Sequence, residues 1–471
     1  MESILQTLKA TRYDPEAKIL ICAPSNTATD VVVQRLVGHV QPTEMIRLMA
    51  YSRDSSTVPD DIMQYTNYDQ ESDSFLVPEL NKLTGYRIVA VTISTGSKLP
   101  NNGLVDHFTH VFVDEAGHQT EPETLGCLVS VTKQDRHPSI TLAGDPKQLG
   151  PIIRSDVAKK FGLEKSLLER LIQLPPYQRC DGVEQSESHY DTRFMTKLIH
   201  NYRSHEAILE LPNELFYDGD LIVAADAMRR RRFSDWEHLP KPGFPVIFHG
   251  IEGEDMREMH SPSWFNPDEV QQVLVYVNLL LTDTKKSKCK PEEVGIVAPY
   301  RRQVQKIRRL LDKHGHFDVK VGSVEEFQGS ERPVIIISTV RSSVEHISFD
   351  HKHKIGFLSN PKRFNVAITR AQALLIVIGN PYTLEEDPNW RLLIEHAIHG
   401  GGYTGVKFVK RADRHDQSAD VEDVINGLSS IDLSGDREGD GGGDDGGDDG
   451  GDFVVVSHVT AQEGPAWRGE D

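Results

Sequence analysis

Short apolar runs alternate with amphipathic stretches over the first 410 residues, and the two periods predict strands and helices in turn. Lys18 to Ala23 reads as a buried strand, Arg87 to Ile93 and the mostly apolar His110 to Val113 as further strands, and another opens at Ser139. Glu2 to Ala10 places Ile4, Leu5 and Leu8 on one helical face, and a second helix is expected from Thr29 to Gly38. Residues 50–80 are polar and acidic with few apolar positions, which predicts an insertion or long surface loop. A helix over Ala158 to Ile172 then gives way to an irregular connection, where the first domain boundary is expected. Lys197 to Leu211 is predicted helical. Strands recur at Val294 to Ala298, Val334 to Thr339 and Ala373 to Gly379, with a helix from Gln303 to Lys313. Strands alternating with helices point to parallel α/β sheets. From Ala412 the chain becomes rich in Asp and Gly, a composition that buries too little surface to repay its ordering entropy, so residues 411–471 are expected to be a disordered acidic tail. Within it, Val421 to Leu433, Phe453 to Val456 and Trp467 are the apolar spots.

Charge changes the picture once it is divided. The net charge of −19 looks wrong for a nucleic-acid binder, but residues 412–471 hold 17 acidic and 3 basic residues, leaving −5 for the 411 before them. A local basic groove is compatible with that near-neutral body. The 471 residues suffice for two or three domains, and an apolar fraction of 38% suits a soluble protein. Cys22, Cys127, Cys180 and Cys289 are far apart in sequence, so no zinc ribbon or redox pair is indicated and a reducing compartment is expected. No apolar run approaches the 18 residues that read as a membrane span, and the N-terminus is too mixed for a signal peptide.

The chemistry collects at strand ends. Asp114 and Glu115 follow a buried strand, where one carboxylate can hold Mg²⁺ and its neighbour can orient or deprotonate a water. Gln148 lies just past the next strand, where an amide can sense phosphate. Pro24, Ser25, Asn26 and Thr27 combine small polar groups with a helix start, a setting for a phosphodiester backbone, although the same residues serve equally as an N-cap. Ser94 and Thr95 put hydroxyls at another strand end. In Asn201-Tyr202-Arg203-Ser204-His205 the guanidinium can grip phosphate and the tyrosine can stack on a base. Pro299-Tyr300-Arg301-Arg302 precedes a helix with Lys306, Arg308, Arg309 and Lys313, which suits a single-stranded backbone with a stacked base. Arg229 to Arg232 can meet phosphate or form a solvated turn.

In order, these motifs are Ala-Pro-Ser-Asn, Ser-Thr-Gly, Asp-Glu-Ala, Gly-Asp-Pro-Lys-Gln-Leu, Asn-Tyr-Arg-Ser, Phe-Gln-Gly-Ser-Glu and Ala-Ile-Thr-Arg-Ala. Over roughly residues 1–410 the chain resembles the Upf-like superfamily-1 helicases, and among them the Armitage-type RNA helicases of small-RNA silencing. The resemblance implies an α/β fold of two RecA-like domains, 1–180 and 181–410, with ATP and Mg²⁺ between them. By it, Asp114 would hold Mg²⁺, Glu115 would activate water, Gln148 would contact the γ-phosphate, and Arg203 and Arg370 would stabilise the transferring phosphoryl group. Tyr202 would stack on adenine, Glu331 would hold the ribose, and Gly329 would belong to the same ATP site. Pro24 to Thr27, Ser94, Thr95, Pro299, Tyr300, Arg301 and Ser323 would line an RNA channel. It further implies 5′–3′ unwinding of RNA carrying a single-stranded tail, Argonaute or other silencing factors as partners, no membrane, no oligomer, and residence in the cytoplasm or its RNA granules.

One departure stands out. The family's phosphate-binding loop, G-x-x-x-x-G-K-[ST], precedes its first helix. This chain has no Gly-Lys dipeptide. Its helix from Glu2 resembles the one that follows the loop, so the first domain is expected to lack its first strand and that loop, and this polypeptide is expected to bind ATP poorly. The alternatives are an ATPase-inactive RNA-binding or adaptor fragment, and a DNA helicase of the same superfamily.

Overall fold

The computed structural model describes residues 1–131, 138–179, 190–258, 261, 263–282, 289–343 and 360–409. The expected acidic tail and Cys180 lie outside the described residues. Two parallel sheets form within Met1–Lys407, as expected for two RecA-like domains.

The front half opens with helix α1 (Glu2–Ala10), strand β1 (Ile19–Ala23), helix α2 (Asn26–Leu36) and strand β2 (Met45–Arg47). Strands β3 (Ile88–Thr92) and β4 (His110–Val113), helix α3 (Glu121–Val131) and strand β5 (Ser139–Leu142) follow. The sheet order is β2-β3-β1-β4-β5. β1 is central and wholly buried, which is why its sequence reads as an unbroken apolar run. Its register with both neighbours brings Ala23 level with Thr92 and Cys22 level with Val113. The loops after β1, β3 and β4 therefore leave the sheet on one edge.

Three expectations need correction here. Helix α2 begins at Asn26, not Thr29, because Ser25 is extended and its Oγ accepts from the Ala28 amide at 3.1 Å. The stretch 50–80 is not a bare surface loop: Val58, Ile62, Tyr65 and Phe75 are buried in the core with Ile19 and Ile21. Asp30 on α2 fastens this excursion, pairing with Arg47 at 2.9 Å and Arg53 at 2.5 Å. The helix expected over Ala158 to Ile172 is two, α4 (Asp156–Lys160) and α5 (Leu167–Leu171), interrupted by Gly162 at φ +87° and restarted by a Ser166 cap.

The rear half contains helix α6 (Glu206–Phe216), strand β6 (Val246–Gly250), helix α7 (Pro267–Thr282) and strand β7 (Val294–Val297). Next come helix α8 (Arg301–Lys313) and strands β8 (Lys320–Gly322) and β9 (Arg332–Ser338). Helix α9 (Pro361–Ile368), strand β10 (Ala371–Gly379), helix α10 (Pro388–Gly400) and strand β11 (Tyr403–Gly405) complete it. The sheet order is β8-β7-β9-β10-β6-β11. The helix expected from Lys197 starts only at Glu206. Asn201 Oδ1 accepts from the backbone amides of Arg203 and Ser204, each at 2.9 Å, and this Asx turn holds Tyr202 and Arg203 in a loop ahead of α6. In the arginine run, Arg230 and Arg231 pair with Glu206 and Arg232 with Glu293, while Arg229 is exposed. Among the described residues, no helix is long and apolar enough to cross a membrane.

Candidate active site

The loop after β4 carries the two acids. It is pinned from both sides, because the Asp114 amide donates to Cys22 O and the Ala116 amide to Ala143 O, each at 2.8 Å. Glu115 adopts φ +50°, a left-handed backbone that few non-glycine residues take up and that clusters at functional sites. The adjoining turn after β5 lies so close that a Cβ on Gly144 would sit 2.9 Å from Ala116 N and 3.0 Å from Gly117 N. Gly144→Ala is therefore expected to lower the unfolding free energy by about 1–3 kcal/mol, measured by urea denaturation.

Acids and guanidiniums converge on this loop. Burial raises the Glu115 carboxyl above its ordinary range, and Asp114 and Asp145 raise it further, while Arg370 and Arg203 pull it down. Arg370 is buried at the end of α9, and that burial lowers its guanidinium to about 10, still charged at neutral pH. Its Nη2 donates to Gln148 Oε1 at 3.3 Å, and Gln148 Nε2 donates to Asp145 Oδ2 at 2.9 Å. Further bonds join the halves. Asn365 Nδ2 donates to Lys147 O at 3.1 Å, Tyr217 Oη donates to Asp145 Oδ2 at 2.8 Å, and Lys362 pairs with Glu169 at 2.8 Å. Glu115, Gln148, Arg203 and Arg370 thus share one cleft between the two sheets.

Arg203 is paired with Glu331, which also accepts from Gln372 Nε2 at 2.9 Å. Burial raises the Glu331 carboxyl, but Arg203, Gln372 and Arg370 more than offset this and leave it below its ordinary range. Expected to hold a ribose, Glu331 in this structure neutralises Arg203. The ring of Tyr202 is 76% exposed and lies near His200. Gly329 supplies a turn at φ +71°. The half-buried Asp114 carboxylate makes no hydrogen bond or ion pair among the described residues, which suits a Mg²⁺ ligand. No three Asp, Glu, His or Cys side chains among the described residues form a complete metal cage. A Mg²⁺ here would complete its shell with phosphate and water, its usual habit.

Two family models, each described as an AAA domain, match residues 1–76 and 163–382. The mov-10-B.1 helicase of Danio rerio is 48% identical over 423 residues, covering 86% of this chain and 40% of the relative. The Homo sapiens RNA helicase Mov10l1 is 46% identical over 409 residues, covering 86% and 32%. The armi RNA helicase of Drosophila melanogaster is 35% identical over 433 residues, covering 86% and 36%. Over 86% of its length the chain is similar to these helicases. It spans about two-fifths or less of the length of these curated relatives.

Within this chain, the residues expected along a nucleic-acid channel fall into two groups. Ser25, Asn26, Thr27 and Ser94 are exposed, Pro24 and Thr95 are half-buried, and all follow the adjacent strands β1 and β3. Asn26 Oδ1 accepts from Arg47 Nη2 at 2.9 Å, which leaves its amide N–H₂ to face outward. Pro299 to Arg301 follow β7, with Arg301 exposed. Two expected contacts are internal instead. Tyr300 is only 6% exposed, with the Arg341 guanidinium 5.1 Å from its ring centre, so the ring supports the loop from within. Ser323 is 2% exposed and accepts from the Glu326 amide. Sequence reasoning missed Arg341, which lies between the Trp264 and Tyr300 rings and pairs with buried Asp255 at 2.9 Å. Nothing in an Arg-Ser-Ser stretch signals that arrangement.

Proposed function

We propose that this chain forms the core of an ATP-dependent RNA helicase of RNA-mediated silencing or RNA turnover, unwinding 5′–3′ in the cytoplasm or its RNA granules. One observation carries the reading: Glu115, Gln148, Arg203 and Arg370 meet in a single cleft although they come from both halves. Burial raises the Glu115 carboxyl, the direction that makes its carboxylate a better acceptor of a proton from water. Gln148 and the two arginines face the charge that develops as a phosphoryl group is transferred. When bound, Mg²⁺ would be held at Asp114 and would neutralise phosphate charge. The strand-end loops of both halves suit an extended single strand, and the names of two relatives specify RNA. Argonaute-type silencing factors are proposed partners on the same family grounds.

Matched RNA and DNA single strands, competed against each other in fluorescence anisotropy with the 471-residue chain, test the substrate. RNA is expected to win. Arg301→Ala is expected to weaken binding evenly across sequences and to flatten the slope of log affinity against log salt by about 1, the signature of one lost phosphate contact. Equal competition by DNA would remove the RNA assignment.

A further inference from the structure

We infer that Tyr217 is a positioning residue that latches the two halves together and, through Asp145, sets the direction of the Gln148 amide. It sits at the C-terminal end of α6, which belongs to the rear half. Its neighbour Phe216 packs on Phe364 of α9, with ring centres 6.2 Å apart, so the backbone on this side is fixed. From there the phenol reaches the front half.

The bonds form a closed circuit. Tyr217 Oη donates to Asp145 Oδ2 at 2.8 Å and accepts from Asn365 Nδ2 at 2.8 Å. The same Asp145 oxygen accepts from Gln148 Nε2 at 2.9 Å, and Gln148 Oε1 accepts from Arg370 Nη2 at 3.3 Å. Asn365 and Arg370 both lie on or just beyond α9, so the path leaves the rear half at Tyr217 and returns to it at Arg370. Donors and acceptors alternate without ambiguity. The carboxylate only accepts and the guanidinium only donates, so Gln148 must point its N–H₂ one way and its carbonyl the other. The phenol fixes Asp145, and Asp145 fixes Gln148. Asn365 Oδ1 is buried and has no partner among the described residues, an orientation explained by its two acceptors, Tyr217 Oη and Lys147 O, lying on the other side of the amide. Burial and Asp145 both raise the Tyr217 phenol well above its ordinary range, so it keeps the proton it donates.

The latch is made of the chain's own groups, whereas the use made of Gln148 rests on the helicase reading. Hydrogen–deuterium exchange on the 471-residue chain, without nucleotide or RNA, tests the latch. Tyr217→Phe is expected to speed exchange about tenfold in both 143–150 and 361–372, the scale of one lost hydrogen bond to a charged group, with β1 and β10 unchanged. Tyr276→Phe removes another buried phenol, one bonded to His249 at 2.9 Å, and is expected to leave both segments at the wild-type rate. Adding Tyr217→Phe to Asp145→Ala is expected to add little, because the phenol acts through that carboxylate. Wild-type exchange in Tyr217→Phe, equal effects from Tyr276→Phe, or full additivity with Asp145→Ala would each overturn the latch. Loss of RNA binding in wild-type protein would instead count against the helicase reading alone.

Discussion

Arg370→Ala is expected to lower ATP turnover about 10³–10⁵-fold in a polypeptide that joins this cleft to a phosphate-binding loop, while RNA affinity changes little. The side chain is held by the chain's own groups, with Nε donating to Val366 O at 3.1 Å and Nη2 reaching Gln148 across the cleft. A guanidinium fixed in this way needs no reorganisation when charge develops on a phosphoryl group, and that preorganisation is the source of the large effect. Arg370→Lys is expected to recover only a small part, because an ammonium is a point charge without the planar fork. The pH profile supplies a second readout. Arg370 pulls the Glu115 carboxyl down against burial and the neighbouring acids. Without it the carboxyl moves further up, so the acidic limb of residual turnover is expected to shift to higher pH. Phosphate release at steady state, followed across pH, checks both statements.

The second large effect concerns stability. Glu269 is fully buried on α7 and accepts from Ser338 Oγ at 2.5 Å and from the Val340 amide at 2.9 Å with each oxygen. Val340 has φ +75°, a strained backbone for a β-branched residue, and Glu269 is the group that holds its amide. Burial pushes the carboxyl up to about 8 from an ordinary 4.5, although its hydrogen bonds oppose the rise. The folded chain therefore keeps a proton that the unfolded chain releases above pH 4.5. This contribution is fully present below pH 4.5 and is lost as pH rises toward about 8. By pH 7 the loss is on the order of 3 kcal/mol. Glu269→Gln cannot release a proton and should lack this slope. Urea denaturation of both proteins between pH 5 and pH 8, a window chosen as roughly that of the shift, is expected to show the variant gaining on the wild type as pH rises.

The buried strands were legible because a strand covered on both faces shows one nearly unbroken apolar signal, as in β1 and β3. What failed were starts and breaks set by single residues. Ser25 begins α2 early, Asn201 keeps the Tyr202–Arg203 segment out of a helix, and Gly162 divides α4 from α5. The sparse apolar residues at 58, 62, 65 and 75 fell below any periodic pattern, yet all four reach the core. The acids, Gln148 and the two arginines were legible from their order along the chain. Tyr217 was not, because a lone tyrosine ending a helix carries no mark of what lies across a cleft. Glu269 left a trace, an acid beside Val270 and one turn from Val273 on the buried side of α7.

The strand order of the rear half also bears on biogenesis. Strand β6 ends at Gly250, yet its two partners begin only at Ala371 and Tyr403. On the ribosome, its apolar edge must therefore wait through most of the rear half's translation before either neighbour emerges. Late, long-range pairing of this kind is slow and exposes sticky intermediates, so nascent chains of this type should lean on chaperones until β11 is in place.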